Sequence, residues 1–179
     1  MDDKRIFTIS ENLLEIRAHG SYGFPFEYLP SSLSRFINGC VECHWHTELE
    51  LIIVTSGQMT YYVNNTSQRL TAGSGILVNS NSIHMTKPSK DVCEYHAFIF
   101  HPRMIYGFEN SLIHQKYCQT IINQPDFSYF YFNPEIEGHR QFIEKACTLA
   151  EFCAVQEESE VFHPHTLTPL QASVFPVGL

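Results

Sequence analysis

The stretch His44-Trp45-His46-Thr47-Glu48-Leu49-Glu50-Leu51-Ile52-Ile53-Val54-Thr55-Ser56-Gly57 decides the fold. Side chains two apart on a strand share a face, so His44 and His46 point one way and Trp45 the other. The three-residue step to Glu50 suits a bend that returns the chain to the same cavity. Glu50 to Thr55 is then an apolar run with the length of a buried strand, closed by Ser56-Gly57, where the turn calls for φ > 0.

Outward from this stretch, short strands alternate with turn signals as in an all-β sandwich or barrel. Gln58 to Val63 is the hairpin partner of the first strand and ends at Asn64-Asn65; Thr66 to Leu70 comes next. Thr71-Ala72-Gly73 turns the chain into Ile76 to Val78, and Asn79 to Ser82 turns it again into Ile83 to Thr86. A polar loop from Lys87 to Asp91 precedes a last strand, Cys93 to Phe100.

After His101-Pro102 the character becomes helical. Ser111 to Asn123 has the composition of a helix, and Asn133-Pro134 supplies an N-cap and first-turn proline for a longer helix running to about Glu157. Phe142, Ala146, Leu149 and Cys153 recur at steps of four and three, which predicts a packing seam. Two partners fit it: the chain's own barrel, or a second subunit. The expected organisation is an arm over 1–32, a barrel over 33–101, a helical dimerisation segment over 102–158, and a tail over 159–179.

The 179 residues suit one domain, and 14 Phe with 9 Tyr can fill a barrel core. A formal charge of −8 with 11 scattered Lys and Arg argues against nucleic-acid binding by this stretch. No segment has the length of a membrane span, and Met1 to Arg5 leads into no signal peptide, so the expectation is a cytoplasmic protein whose six cysteines are free thiols. Cys40 and Cys43 form a lone C-x-x-C with no second pair at zinc-ribbon spacing.

His44, His46, Glu50 and His84 are three imidazoles and a carboxylate, a donor set suited to Zn²⁺, Ni²⁺, Mn²⁺ or Fe²⁺ or to a polar organic ligand. His96 shares strand parity with Phe98 and Phe100 and joins them as a candidate cavity residue. No cofactor is required by the sequence.

Gly39, His44, His46, Glu50 and Gly57 resemble the first cupin motif, with its first glycine one residue close to the histidines. Gly73 to His84 resembles the second, with Asn79 where proline is usual, Asn81 where glycine is usual and Pro88 where asparagine is usual. The resemblance implies a double-stranded β-helix (jelly-roll) barrel, followed by two or three helices. It places His44, His46, Glu50 and His84 at the positions that hold metal in cupin enzymes.

A narrower resemblance runs from about Leu33 to Glu157. His44 to Val54, Leu70 to Gly73, Asn79 to His84 and Tyr95 to Pro102 look like the N-terminal ligand-binding domain of AraC-family transcription regulators. Leu112 to Tyr117 and the helix from Pro134 are similar to that family's dimerisation segment. This implies a module that binds a small-molecule effector, a sugar among the candidates, and forms a homodimer through its C-terminal helices. The family's helix-turn-helix pair is not seen in this sequence. The alternative is a metal-dependent cupin enzyme, a dioxygenase or isomerase, using His44, His46, Glu50 and His84.

Overall fold

The computed structural model describes residues 8–88, 92–124 and 126–158. The tail over 159–179, the start of the arm and most of the Lys87 to Asp91 loop lie outside these residues. Strand β2 (Leu49–Ser56) is the apolar run after His46, buried from Leu49 through Val54. It is buried on both faces because Glu50, Ile52 and Val54 face the barrel interior while Leu51 and Ile53 face a helix outside it. This two-sided burial is why the run shows no alternation.

β3 (Gln58–Val63) does alternate, with Met59, Tyr61 and Val63 inward. It pairs with β4 (Thr66–Thr71) on one side and β6 (His84–Pro88) on the other, making a three-stranded sheet. The opposing antiparallel sheet has the order β1-β7-β2-β5-β8, built from β1 (Phe26–Ser32), β7 (Glu94–Phe100), β2, β5 (Gly75–Val78) and β8 (Tyr129–Phe132). Side chains from both sheets fill the interior, among them Ile52, Tyr61, Leu70 and Tyr95. The architecture is the expected one: mainly β, cupin-like, with helices at the C-terminal end.

The sheet reaches beyond the expected 33–101 span on both sides, since β1 falls in the stretch read as an arm and β8 in the stretch read as helical. Both are edge strands. Pro30 interrupts the donor pattern of β1, which an edge position tolerates and which hides the strand from a pattern reading.

Asn81 stands at a glycine position of the second motif and adopts φ 61°, the left-handed region that asparagine tolerates better than other non-glycine residues. Asn79, at the proline position, ties two parts of the molecule together. Its Nδ2 donates towards the carbonyls of Ile121, Ile122 and Phe127 at 3.3, 3.2 and 2.8 Å, while its Oδ1 accepts from Ser80 N–H. The departure from the motif thus anchors the helical segment to the barrel.

Beyond β7 come α1 (Arg103–Tyr106), a π-helical turn over His114–Cys118 leading into α2 (Gln119–Ile122), and α3 (Glu137–Glu158). The long helix starts three residues later than Pro134. Asn133 Oδ1 accepts from Glu135 N–H and Asn133 O from Ile136 N–H, so Pro134 sits in a turn that precedes the helix. α3 docks on its own barrel through Ile143, Ala146 and Ala150, which meet Tyr28, Leu51, Ile53 and Phe98. The buried stripe is displaced from the expected seam. Ala146 is in it and Leu149 and Cys153 flank it, whereas Phe142 is 40% exposed with its ring stacked on Phe132 at 4.4 Å. None of the six cysteines forms a disulfide. Among the described residues no helix is long and apolar enough to cross a membrane.

Candidate functional site

A cavity of about 600 Å³ lies between the two sheets. Ile52, Tyr95 and Ala97 give it apolar walls, and Glu15, His19, His44 and Glu50 give it a polar end. His46 and His84 are buried beside that polar end, with ring centroids 5.0 Å apart and His44 4.3 Å from His84.

Backbone pairing builds the cluster. His44 and His84 exchange N–H and carbonyl groups at 3.0 and 2.8 Å, an isolated antiparallel bridge that sets the two imidazoles side by side. Each ring is then oriented by its own chain: His44 Nδ1–H donates to Glu42 O and His84 Nδ1–H to Ser82 O, both at 2.8 Å. With Nδ1 occupied in this way, Nε2 is the nitrogen left to face the interior.

Glu50 Oε2 accepts from Tyr61 O–H at 2.9 Å and lies 2.9 Å from His84 Nε2. Burial works against the Glu50 carboxylate, but His84 and His46 together outweigh it and hold its pKa well below the usual range. Burial likewise opposes charge on His84, and Glu50 overcomes it, so His84 is raised. His44 goes the other way, pushed down to about 4 by burial and by the neighbouring His84.

His84 Nε2 meets Glu50 only as an ion-pair contact without hydrogen-bond geometry, and His46 is unpartnered at both ring nitrogens. His46 Nε2 is 3.8 Å from Glu50 Oε2 and its Nδ1 3.6 Å from Glu48 Oε2, both too long for hydrogen bonds, although both nitrogens are sealed from solvent. His44, His46 and His84 each offer a nitrogen within 4.8 Å of the others. Donors around a metal at about 2.1 Å sit about 3.4 Å apart, so a modest inward movement would complete a three-imidazole seat. The residues therefore fit a divalent transition metal, with the orphaned His46 ring as the physical indication.

Four of the five sequence-named residues meet here; His96 does not. It lies on the outer face of β7, half-buried, with Nδ1 2.9 Å from Tyr28 Oη. Its parity with Phe98 holds, but that parity faces away from the cavity, which Tyr95, Ala97 and Ile99 line instead. Trp45 points out and donates from Nε1–H to Asn12 O at 2.9 Å.

Three further residues at the site are not among those named from the sequence. Tyr61 is on the inward parity of β3, and the alternation there was a usable signal. Glu15 and His19 had none, because they arrive on an irregular segment. His19 is clamped between two carboxylates, donating from Nε2–H to Glu15 Oε2 at 3.0 Å and from Nδ1–H to Glu27 Oε2 at 2.8 Å. Burial opposes its charge, but these bonds raise its pKa to about 9, and Glu15 is lowered in return.

The chain is 23% identical over 137 residues to the uncharacterized HTH-type transcriptional regulator YdeC of Bacillus subtilis (strain 168), covering 76% of this chain and 45% of the regulator. It thus spans less than half the length of that relative. Among solved structures, a mutant of the Bacillus subtilis oxalate decarboxylase is 13% identical with a TM-score of 0.36, over 42% of this chain and 21% of that one. A predicted oxalate decarboxylase from Thermotoga maritima is 21% identical with a TM-score of 0.34, over 44% and 64% of the respective chains. Residues 38–153, which take in the histidine cluster, the strands from β2 to β8 and most of α3, match the AraC-like ligand binding domain, and the chain belongs to that family.

Proposed function

We propose that this chain is the effector-sensing and dimerisation module of a cytoplasmic transcription regulator. The cavity carries the reading: about 600 Å³, apolar walls and one charged end suit a small molecule with a polar and a less polar side, of which a monosaccharide is one class. Contact with DNA belongs to a part of the regulator outside this chain, consistent with the net charge of −8.

Thermal unfolding against a panel of monosaccharides and small organic acids is the test. An effector present at 100 times its Kd stabilises by about 2.7 kcal/mol, a shift of several degrees in Tm. Ala97→Phe, which fills the cavity from β7, is expected to abolish that shift while the domain stays folded. A compound that stabilises both proteins equally would place its binding elsewhere.

Dimerisation is assigned to the outward side of α3, where Phe152 and Val155 are 41% and 63% exposed, with Leu112 and Ile113 before it at 74% and 42%. Light scattering is expected to give twice the chain mass for the wild type and the single-chain mass for Phe152→Glu. An unchanged mass in the variant would remove α3 from the interface.

A second reading, a metal-dependent dioxygenase or isomerase, is favoured by the partnerless His46 ring. His44, His46 and His84, with Glu50 alongside, would hold the ion, which would supply a Lewis acid at the polar end of the cavity. Stoichiometric iron or manganese in untagged protein, absent from His46→Ala, would favour that reading.

A further inference from the structure

We propose that Glu15, His19 and His46 form a second divalent-cation site, which shares His46 with the His44, His46 and His84 group and draws its other ligands from the N-terminal segment, so that a metal there ties that segment to the barrel. Each residue offers one donor atom within 4.8 Å of the other two, and all three are buried, at 7%, 4% and 4% exposure.

The backbone places Glu15 there. Leu14 and Trp45 form a parallel bridge in which Trp45 N–H donates to Leu13 O at 2.9 Å and Glu15 N–H to Trp45 O at 3.0 Å. One residue further along each chain stand Glu15 and His46, which are therefore lateral neighbours. His19 follows Glu15 by four residues and closes the group, its ring centroid 5.2 Å from that of His46.

Two features point to a metal at this position. His46 is 96% buried as a side chain and neither of its nitrogens has a hydrogen-bond partner, so a donor stands ready on the barrel side. On the segment side His19 already has the second partner typical of a metal-bound histidine: Nδ1–H donates to Glu27 Oε2, leaving Nε2 to face Glu15 Oε2 at 3.0 Å. A cation entering between them takes the place of the Nε2 proton, which leaves to solvent, and gains Glu15 Oε2, His19 Nε2 and one His46 nitrogen. Closing to the ~3.4 Å donor spacing around zinc asks His46 to approach by at most about 1.4 Å. Two nitrogens and one carboxylate oxygen suit Zn²⁺ and its congeners.

The test uses untagged wild-type chain stripped with EDTA, labelled with ¹⁵N-histidine and titrated with ¹¹³Cd²⁺. Cadmium coupling is expected on Nε2 of His19, the resonance being identified by its loss in His19→Gln. Glu15→Gln should weaken cadmium binding at that resonance at least tenfold, and His84→Gln should leave it within twofold. Coupling confined to His44, His46 and His84, no cadmium binding at all, or an unchanged affinity in Glu15→Gln would each overturn the proposal. A wild-type spectrum without cadmium coupling overturns the proposal whether or not a variant folds.

Discussion

Replacing Gly57 by alanine is expected to leave the domain largely unfolded, with a loss above about 4 kcal/mol, at the exceptional end of single substitutions. Gly57 turns β2 into β3 at φ +74°, a conformation that costs an L-residue about 1–2 kcal/mol by itself. The larger part is steric. A Cβ there would lie 1.8 Å from the carbonyl oxygen of Val92 and 2.9 Å from its carbon, both backbone atoms at the entry to β7. Relief would have to come from moving the backbone of Val92 and Cys93, and Cys93 is fully buried with its carbonyl accepting from Leu33 N–H. Gly73 is the matched control, since it has φ +82° with nothing within 4 Å of the added atom. Gly73→Ala should lose only the backbone cost, about 1–2 kcal/mol. Urea unfolding of the three proteins checks this; similar midpoints for the two variants would refute the steric argument.

The second large effect is a stability optimum near pH 6.5 in metal-free protein kept in EDTA. His44 has its pKa lowered to about 4, chiefly by burial and then by His84, with Glu50 and Glu15 opposing. The unfolded chain therefore takes up a proton first as pH falls, and stability drops between about pH 6.5 and 4. His19 has the opposite sign. Burial is outweighed by Glu15 and Glu27, and its pKa stands at about 9. Its contribution is complete below pH 6.5 and is lost as pH rises towards 9, and the raised His84 adds to that alkaline limb. A displacement of this size corresponds to about 3 kcal/mol on each side. Glu15 and Glu50, both lowered, extend the acid loss below pH 4.5. Chemical denaturation from pH 4 to 9 should give a dome, with His19→Gln flattening the alkaline side and His44→Gln the acid side above pH 4.5. A curve already flat in the wild type would show that these two histidines titrate as in the unfolded chain.

The strands were legible because their signals are local. β2 to β7 were readable from apolar runs and turn residues, and β1 and β8 were not. β1 carries Pro30, and β8 is four aromatic residues set between helical segments. The seam on α3 was readable as a helical stripe, yet its phase came out displaced, because Ile143, Ala146 and Ala150 fit the outer face of β1, β2 and β7 while Phe142 finds Phe132 at the flank.

By itself the sequence determined the barrel strands, the common direction of His44 and His46, and the return of Glu50 and His84 to them. Those features depend on strand parity and turn placement, which the order of residues encodes over a few positions. Only the tertiary structure decided that the His96 face looks out to Tyr28, that Asn79 secures the helical segment, and that Glu15 and His19 reach the partnerless ring of His46. Parity says which side chains share a face but not which face meets the cavity. An irregular segment has no period from which its destination can be read.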